Sequence, residues 1–538
     1  MANCKFLRQK KQVKINGEWV DTRSYRYIPY CDGGTPSVTV INGRPNTSFT
    51  IHYYNSNGSI KGKSVQMDDN GNAYVEFESG DIINSIDYIY ESTPYEVGFR
   101  ACKIYGIDTP RSQLKLTISC STLARGGDFS SFEGTSLTFK DVDISLREGN
   151  LHYLFGNCPY LTSLDVSNFI TSNATDMSDM FNCNLSLKNL DVSSFSTSNV
   201  TDMGNMFGSC ESLTSLNLSN FITSKVTNMN GMFSDCIKLA SLNLSNFNTS
   251  NVTDMGSMFA MCLGLASLNV SSFNTSKVTN MENMFYYCQT LKALSVSNFN
   301  TSNVTTMESM FAECHDLEEL NLSNFNTSNV TNMQWMFHYC ISLKTLNVSH
   351  FNTSKVTNMV AMFAGCESLK NLDVSSFSTS NVTDMGNMFG ECSGLTSLNL
   401  SNFITSKVTN MNNMFSRCSS LQNLDVSSFD TSNVTEIGGI GGMSGMFYQC
   451  SSLTALDLSN FNVSKVTDMR FMFEWCTNLV SLNLNGWNLE KLSDKTDMFE
   501  GCSNLKTIYM RGCSQTTIDK IKDALSEANI LDQVTIIT

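Results

Sequence analysis

Leu213-Thr-Ser-Leu216-Asn-Leu218-Ser-Asn-Phe221-Ile-Thr-Ser-Lys-Val226-Thr-Asn-Met229-Asn-Gly-Met232-Phe233 is one clear copy of a pattern that fills about two-thirds of this 538-residue chain. Its closing Met-Phe pair, Leu-Phe at the first occurrence, places Phe at 155, 181, 207, 233, 259, 285, 311, 337, 363, 389, 415, 447, 473 and 499. Every interval is 26 residues except the last but two, where six extra residues fall near Glu436 to Gly445. A fixed period of this length marks stacked units that cannot fold singly, because each has a face that only its neighbour can bury.

Two periodicities alternate within a unit. Leu213-x-x-Leu216-x-Leu218 ends in a period of two and predicts a short strand facing inward at Leu216 and Leu218. Val226, Met229, Met232, Phe233, Cys236 and Leu239 recur at three or four, which predicts one face of a short helical segment, with Thr223, Ser224 and Thr227 available to cap its start. The expected fold class is therefore an α/β solenoid, a leucine-rich-repeat rod of short strands and short helical turns, with an N-terminal all-β domain. Stacked at strand spacing, the repeats would make a rod about 60 to 70 Å long, strands on one face and helical turns on the other.

The run Leu-x-x-Leu-Asp-Val-Ser-x-Phe-x-Thr-Ser-x-Val-Thr-x-Met-x-x-Met-Phe-x-x-Cys-x-x-Leu, as at Leu187 to Leu213, resembles the BspA-like leucine-rich repeat family of bacterial surface proteins. The resemblance implies a secreted or cell-surface protein concerned with adhesion, with no enzymatic activity attached to the repeat.

Ahead of the repeats, Asn16-Gly17, Asp32-Gly33-Gly34, Asn57-Gly58, Asn70-Gly71 and Ser79-Gly80 mark turns between strand-like runs at Ser37 to Ile41, Phe49 to Tyr54, Ala73 to Phe77 and Ser85 to Tyr90. The expected organisation is a basic arm at 1–36, a small β-sandwich-like domain at 37–112, the solenoid with its N-terminal cap at 113–505, and a C-terminal cap of helix plus strand at 506–538. The helix of that cap is expected at Thr516 to Ala528, from the spacing of Ile518, Ile521 and Leu525.

The formal net charge is -14, which argues against nucleic acid as the main partner, since phosphate binding needs clustered Lys and Arg. Residues 1–36 run against this, with Lys5, Arg8, Lys10, Lys11, Lys14, Arg23 and Arg26 outnumbering Glu18, Asp21 and Asp32. No apolar run reaches the roughly 18 residues of a membrane span, and the opening lacks the apolar core of a secretory signal. Membrane insertion and export by the usual leader are thus not expected.

Nineteen Cys occur, and the repeat Cys sits three residues after the Phe, or two at Cys183. An inward apolar position is a usual home for a free thiol, and no Cys-x-x-Cys pair supports zinc, so no metal and no cofactor is expected. Gly58-Ser-Ile-Lys-Gly62-Lys63-Ser64 is one residue short of a phosphate-binding loop, and the glycines near 436–445 lack the surrounding unit of a dinucleotide site. Asn-x-Thr sites such as Asn199-Val-Thr201 follow the repeat and read as turn chemistry rather than glycosylation. Asp and Asn interchange at Asp191, Asn217, Asn243, Asn269, Asp373 and Asp457, so no unique carboxylate pair is set apart for catalysis.

One break in this Ser- and Asn-rich surface stands out. Trp335, His338 and Tyr339 sit at i, i+3 and i+4, and would share the outer face of one helical segment, with Tyr286 and Tyr287 at matching positions two repeats earlier. These five residues are the candidate ligand-binding site, and His315 and His350 lie on nearby loops. Residues 189–233 and 371–415 differ only at Ser209/Glu391, Glu211/Ser393, Ser212/Gly394 and Gly231/Asn413, so copied repeats act as spacer and recognition belongs where repeats differ. The reading is a nonenzymatic adhesion rod, first as a bacteriophage virion component docked to an assembly protein through its N-terminal region. The rod would then meet a host cell-surface glycan or protein. A bacterial surface adhesin is the alternative, and a glycan-degrading solenoid spike the second.

Overall fold

The computed structural model describes residues 149–538 except 168, 170 and 436–444, and before 149 it describes strands and short stretches within 3–88, at 115–119 and at 136–140. The insertion expected near 436–445 therefore lies almost wholly outside the described residues. Two compact units are formed, Met1–Asp254 with Met258–Leu265, and Met255–Ser257 with Ala266–Thr538.

In the first unit, Asn3–Ile15 pairs antiparallel with Glu18–Asp32, so most of the basic stretch is a hairpin. Ser48–Tyr54 is flanked by Ile60–Gln66 and Ile82–Tyr88 in a three-stranded antiparallel sheet. A five-stranded sheet runs Ser163–Asp165, Ser136–Lys140, Lys115–Ser119, Ser37–Ile41, Ala73–Glu76. Its first three strands are parallel, and Ser163–Asp165 already belongs to the repeats.

From Gly149 the repeats coil as a parallel β-solenoid. In the first unit Asn150, Asp176, Asp202, Asn228 and Asp254 bridge in parallel, one per turn. The Phe155, 181, 207, 233 and 259 rings stack beneath them with centroids 5.7 to 5.8 Å apart. The second unit repeats this from Phe285 to Phe499, and the stack passes from Phe415 to Phe447 at 5.8 Å despite the extra residues between them. Every repeat Phe is fully buried, an apolar burial of about 1.5 to 3 kcal/mol each.

Leu216 and Leu218 face inward as the alternation requires. The strands there are short: Ser267–Leu268, Ala293–Leu294, Glu319–Leu320 and Thr345–Leu346 form one parallel sheet in the second unit. Ala455–Asp457, Ser481–Asn483, Thr507–Tyr509 and Thr535–Ile537 form another. The α-helix Gln515–Glu527 precedes that last strand, with Ser514 capping its start through the Thr517 N–H.

The helical half of the expected repeat is corrected. Around Phe207, the N–H groups of Met203, Asn205, Phe207 and Ser209 donate to the carbonyls of Asn228, Asn230, Met232 and Ser234 on the next turn, at 2.7 to 3.0 Å. Between them, Met206, Gly208 and Cys210 donate to the carbonyls of Met203, Asn205 and Phe207. An α-helix would spend these donors on the residue four back. The segment is instead a chain of overlapping tight turns, and because each advances by three residues it buries Met203, Met206, Phe207 and Cys210 at a spacing that sequence cannot tell from a helix. Thr223 does not cap a helix either: its hydroxyl donates to the Asn248 carbonyl on the next turn at 3.0 Å.

Such a path needs left-handed residues, and every turn has two, two before and two after its Phe. Asn205 (φ 49) and Ser209 (φ 53) flank Phe207, and Trp335 (φ 56) and Tyr339 (φ 51) flank Phe337. A side chain there costs about 1 to 2 kcal/mol against glycine, offset by the bonds between turns.

All the repeat thiols but Cys183 are buried and none is in a disulfide, and in turns such as those of Cys210, Cys236, Cys314 and Cys340 the Sγ donates to a Phe carbonyl one turn back, Cys340 to Phe311 at 3.1 Å. Burial pushes the Cys236 and Cys366 thiols up to about 12. At one turn Asn184 stands in the Cys position, its amide N–H donating to the Phe155 and Phe181 carbonyls while its buried Oδ1 has no partner.

Candidate ligand-binding edge

The tight-turn path sends its left-handed side chains outward, so the residue two after each Phe forms a row, one per turn. In the second unit that row reads Tyr287, Glu313, Tyr339, Gly365, Glu391, Arg417, Gln449, Trp475, Gly501. From Tyr287 to Trp475 each N–H of the row donates to the next turn, Glu313 to the His338 carbonyl and Tyr339 to the Ala364 carbonyl, both at 2.7 Å. The frame holds the backbone constant while the side chains change.

Four of the five predicted residues have ring or polar partners on this edge, though not through a helix. Trp335 and Tyr339 occupy the two left-handed positions of one turn, with His338 between them. His338 packs edge-on against Tyr339 with centroids 4.5 Å apart, and its Nδ1 lies 3.4 Å from Glu313 Oε1. The other oxygen of Glu313 takes His315 Nε2 at 2.8 Å, and His315 in turn approaches the Tyr287 ring at 6.3 Å. Tyr286 lies against Tyr287 at 5.7 Å. Trp335 is 39% exposed on the same turn.

Tyr339 reaches further than the sequence suggests. Its hydroxyl donates to Glu391 Oε2 at 3.0 Å, two turns on, passing over Gly365. A Cβ at Gly365 would come within 2.6 Å of the Tyr339 ring, so glycine there (φ 74) gives the ring its path. Glu391 is also paired with Arg417 at 3.4 Å, and the Arg417 guanidinium sits 5.5 Å from the centroid of Tyr448. Trp475, 46% exposed, repeats the device by lying against Gly501. Sequence reasoning missed Glu313, Glu391, Arg417, Tyr448 and Trp475. Three of the four differences between the copied blocks, at 391, 393 and 394, fall just after Phe389, and the fourth, at 413, falls two before Phe415; that signal was present.

Burial lowers the His338 imidazole from its ordinary value, against the opposing pull of Glu313 and Glu391. Burial first, then Glu391, raises the Tyr339 phenol. Tyr286 is raised by burial and by Glu313.

His350 is not part of this cluster. It takes the place of the Asn that bridges turns elsewhere, as Asn298 does to Val270 and Phe273, and its Nε2 meets the Leu322 carbonyl at 3.0 Å. Among the described residues no group of three or more His, Cys, Asp or Glu side chains is placed to share a metal ion. Nor is any described helix long and apolar enough to cross a membrane.

The interchanging Asp and Asn of the strand side have a turn role. Asp191, Asp373 and Asp425 are held below the usual carboxylate range by hydrogen bonds from the hydroxyl and N–H of the Ser two residues on. Asn217 does the same for the Ser219 N–H. Sequon asparagines are engaged too, Asn199 Nδ2 donating to the Ser172 carbonyl at 2.9 Å and Asn381 Nδ2 to the Ser354 carbonyl at 2.8 Å. Two open depressions on the strand side are lined by Leu268, Leu294, Leu320 and Leu346 among Ser, Asn, Glu319 and Lys344.

No curated protein matches the chain. A family model described as "Mycoplasma protein of unknown function, DUF285" matches residues 149–268, 263–371, 342–440 and 395–513. Those segments run from 149 to 513, more than half of the sequence and the whole repeated region, so the chain belongs to this family of repeat proteins.

Proposed function

We propose that the chain is a nonenzymatic attachment protein that recognises its target through the outward edge at Tyr286, Tyr287, Trp335, His338 and Tyr339. One observation carries this. On a frame whose other rows repeat Thr, Asn and Ser, the edge row changes residue at almost every turn and there gathers half-buried rings and the exposed Trp335 around paired carboxylates. Partly exposed aromatics held in place by their neighbours lose little freedom on binding, which is what an interaction hot spot requires.

The placement we propose is a bacteriophage particle. The basic residues 1–36, set against an otherwise acidic chain, suit docking to an acidic assembly protein, leaving the repeats to meet a host cell surface. A bacterial surface adhesin of the BspA-like type is the second reading, favoured by the match to a family of repeat proteins. Neighbouring genes separate the two: capsid and tail genes support the first, surface and secretion genes the second. The glycan-degrading alternative gains least, because the strand-side carboxylates Asp191, Asp373 and Asp425 accept hydrogen bonds within their own turns, and release of reducing ends from capsule would be needed to revive it.

The binding test pairs Trp335→Ala/Tyr339→Ala with the control Asn205→Ala/Ser209→Ala at matching positions in another turn. The first is expected to lose cell attachment with thermal unfolding unchanged, and the second to keep it. Equal behaviour of the two would refute the edge as the binding site.

A further inference from the structure

We infer that the ligand of this edge is an uncharged polysaccharide chain lying along the stacking direction and contacting the row turn by turn from Tyr287 to Trp475. The inference rests on the edge reading above and adds the ligand's class and the length of its track.

Three observations favour it. First, the row continues past the predicted patch: Tyr339 and Trp475 occupy the same row five turns apart, about 24 Å at strand spacing. Both rings lie against a glycine on the following turn. That aromatic-then-glycine pairing at two separated points makes two platforms on one line.

Second, the polar groups along the row already have partners. Glu313 is held between two imidazoles, and Glu391 between the Tyr339 hydroxyl and Arg417. A polyanion would meet Glu474, Asp497 and Glu500 around Trp475, where burial and the two other carboxylates raise Glu474. A polycation would find Glu391 already paired with Arg417 and the Tyr339 hydroxyl, and Glu313 already held by His315 and His338. An uncharged polyhydroxyl chain needs no free counter-charge, and fixed carboxylates and a guanidinium are well suited to accept from and donate to its hydroxyl groups.

Third, the apolar C–H faces of sugar rings stack on aromatic side chains, and the track supplies such rings with one end wet. The copied blocks vary in the same part of the repeat. In 189–233 against 371–415, all four differences fall in the tight turns and none on the strand side.

The test presents the full-length chain with immobilised dextran, a mannan, a galactan and a β-1,3-glucan, alongside heparin and polylysine. Soluble fragments of graded length compete. Capture by at least one neutral polysaccharide is expected, with affinity rising with fragment length and falling about ten-fold or more in both Trp335→Ala/Tyr339→Ala and Trp475→Ala. Thermal unfolding of each variant checks the frame. Capture by heparin or polylysine alone, or by none of the six, overturns the neutral-chain inference. Loss in the 335/339 variant with full binding by Trp475→Ala overturns the extended track while leaving the local edge reading intact. Capture unchanged in both variants overturns the edge reading itself, and the inference with it.

Discussion

Replacing Phe337 by Ala removes a ring that is fully buried and stacked between Phe311 at 5.8 Å and Phe363 at 5.6 Å. Its neighbours are held by the same cross-turn bonds and cannot collapse inward, so the cavity persists. A buried Phe→Ala change of this kind costs about 4 kcal/mol. In a solenoid each turn contacts only its neighbours, so the loss falls on the turns on either side rather than on the whole stack. Hydrogen exchange reads this directly. The N–H groups of Phe311, Phe337 and Tyr339 donate to the carbonyls of Met336, Met362 and Ala364, and their protection should fall by about a thousand-fold, a factor of ten for each 1.4 kcal/mol. The corresponding amides of Phe447 and Phe473 should keep theirs. A drop of less than ten-fold near the substitution, or an equal drop at the distant turns, would refute the stacked-ladder account.

Three further outcomes follow from particular side chains. Asn184→Cys restores the thiol found at this place in the other turns and removes a buried oxygen without a partner, so unfolding free energy should rise by about 1 to 3 kcal/mol; a less stable variant would contradict the reading of Asn184 as a defect. Thiol labelling of the native protein should modify Cys183 and Cys513, which are partly exposed, and spare the buried row even at pH 9, because burial holds thiols such as Cys418 near 12; denaturant should expose the row, and disulfides between turns found by mass spectrometry would count against it. For His338, a pKa lower in the folded state means that the unfolded chain takes up its proton first as pH falls, so stability is lost on descending from the ordinary histidine value of about 6.5 toward the lowered one. His338→Gln should flatten that part of the denaturation profile, and an unchanged slope would argue against it.

The ladder was legible because burial imposes it on residue type: Phe, Met, Leu, Val and Cys return at one spacing, and each proves buried. The path between them was not. Met229, Met232, Phe233 and Cys236 are spaced as on a helix, yet their N–H groups alternate between the next turn and the residue three back, a choice set by the neighbouring turn and invisible in a single repeat. Position 339 shows the same limit. Its tyrosine was singled out, but the left-handed backbone, the glycine beneath the ring and the carboxylate two turns on depend on residues 26 and 52 positions away. Trp475 is not among the predicted residues, although its own copy of the aromatic-then-glycine pair, Trp475 and Gly501, stands 26 positions apart in the sequence.

The proposal that a constant solenoid frame binds through its variable tight-turn edge can be tested directly. Hydroxyl-radical footprinting of the full chain, free and bound to cells that capture it, tests that claim side chain by side chain. Protection is expected at Tyr287, Trp335, Tyr339 and Trp475 on binding, with the exposed strand-side residues Lys344 and Val480 unchanged. Protection of Lys344 and Val480, with the edge rings as reactive as in the free protein, would contradict it.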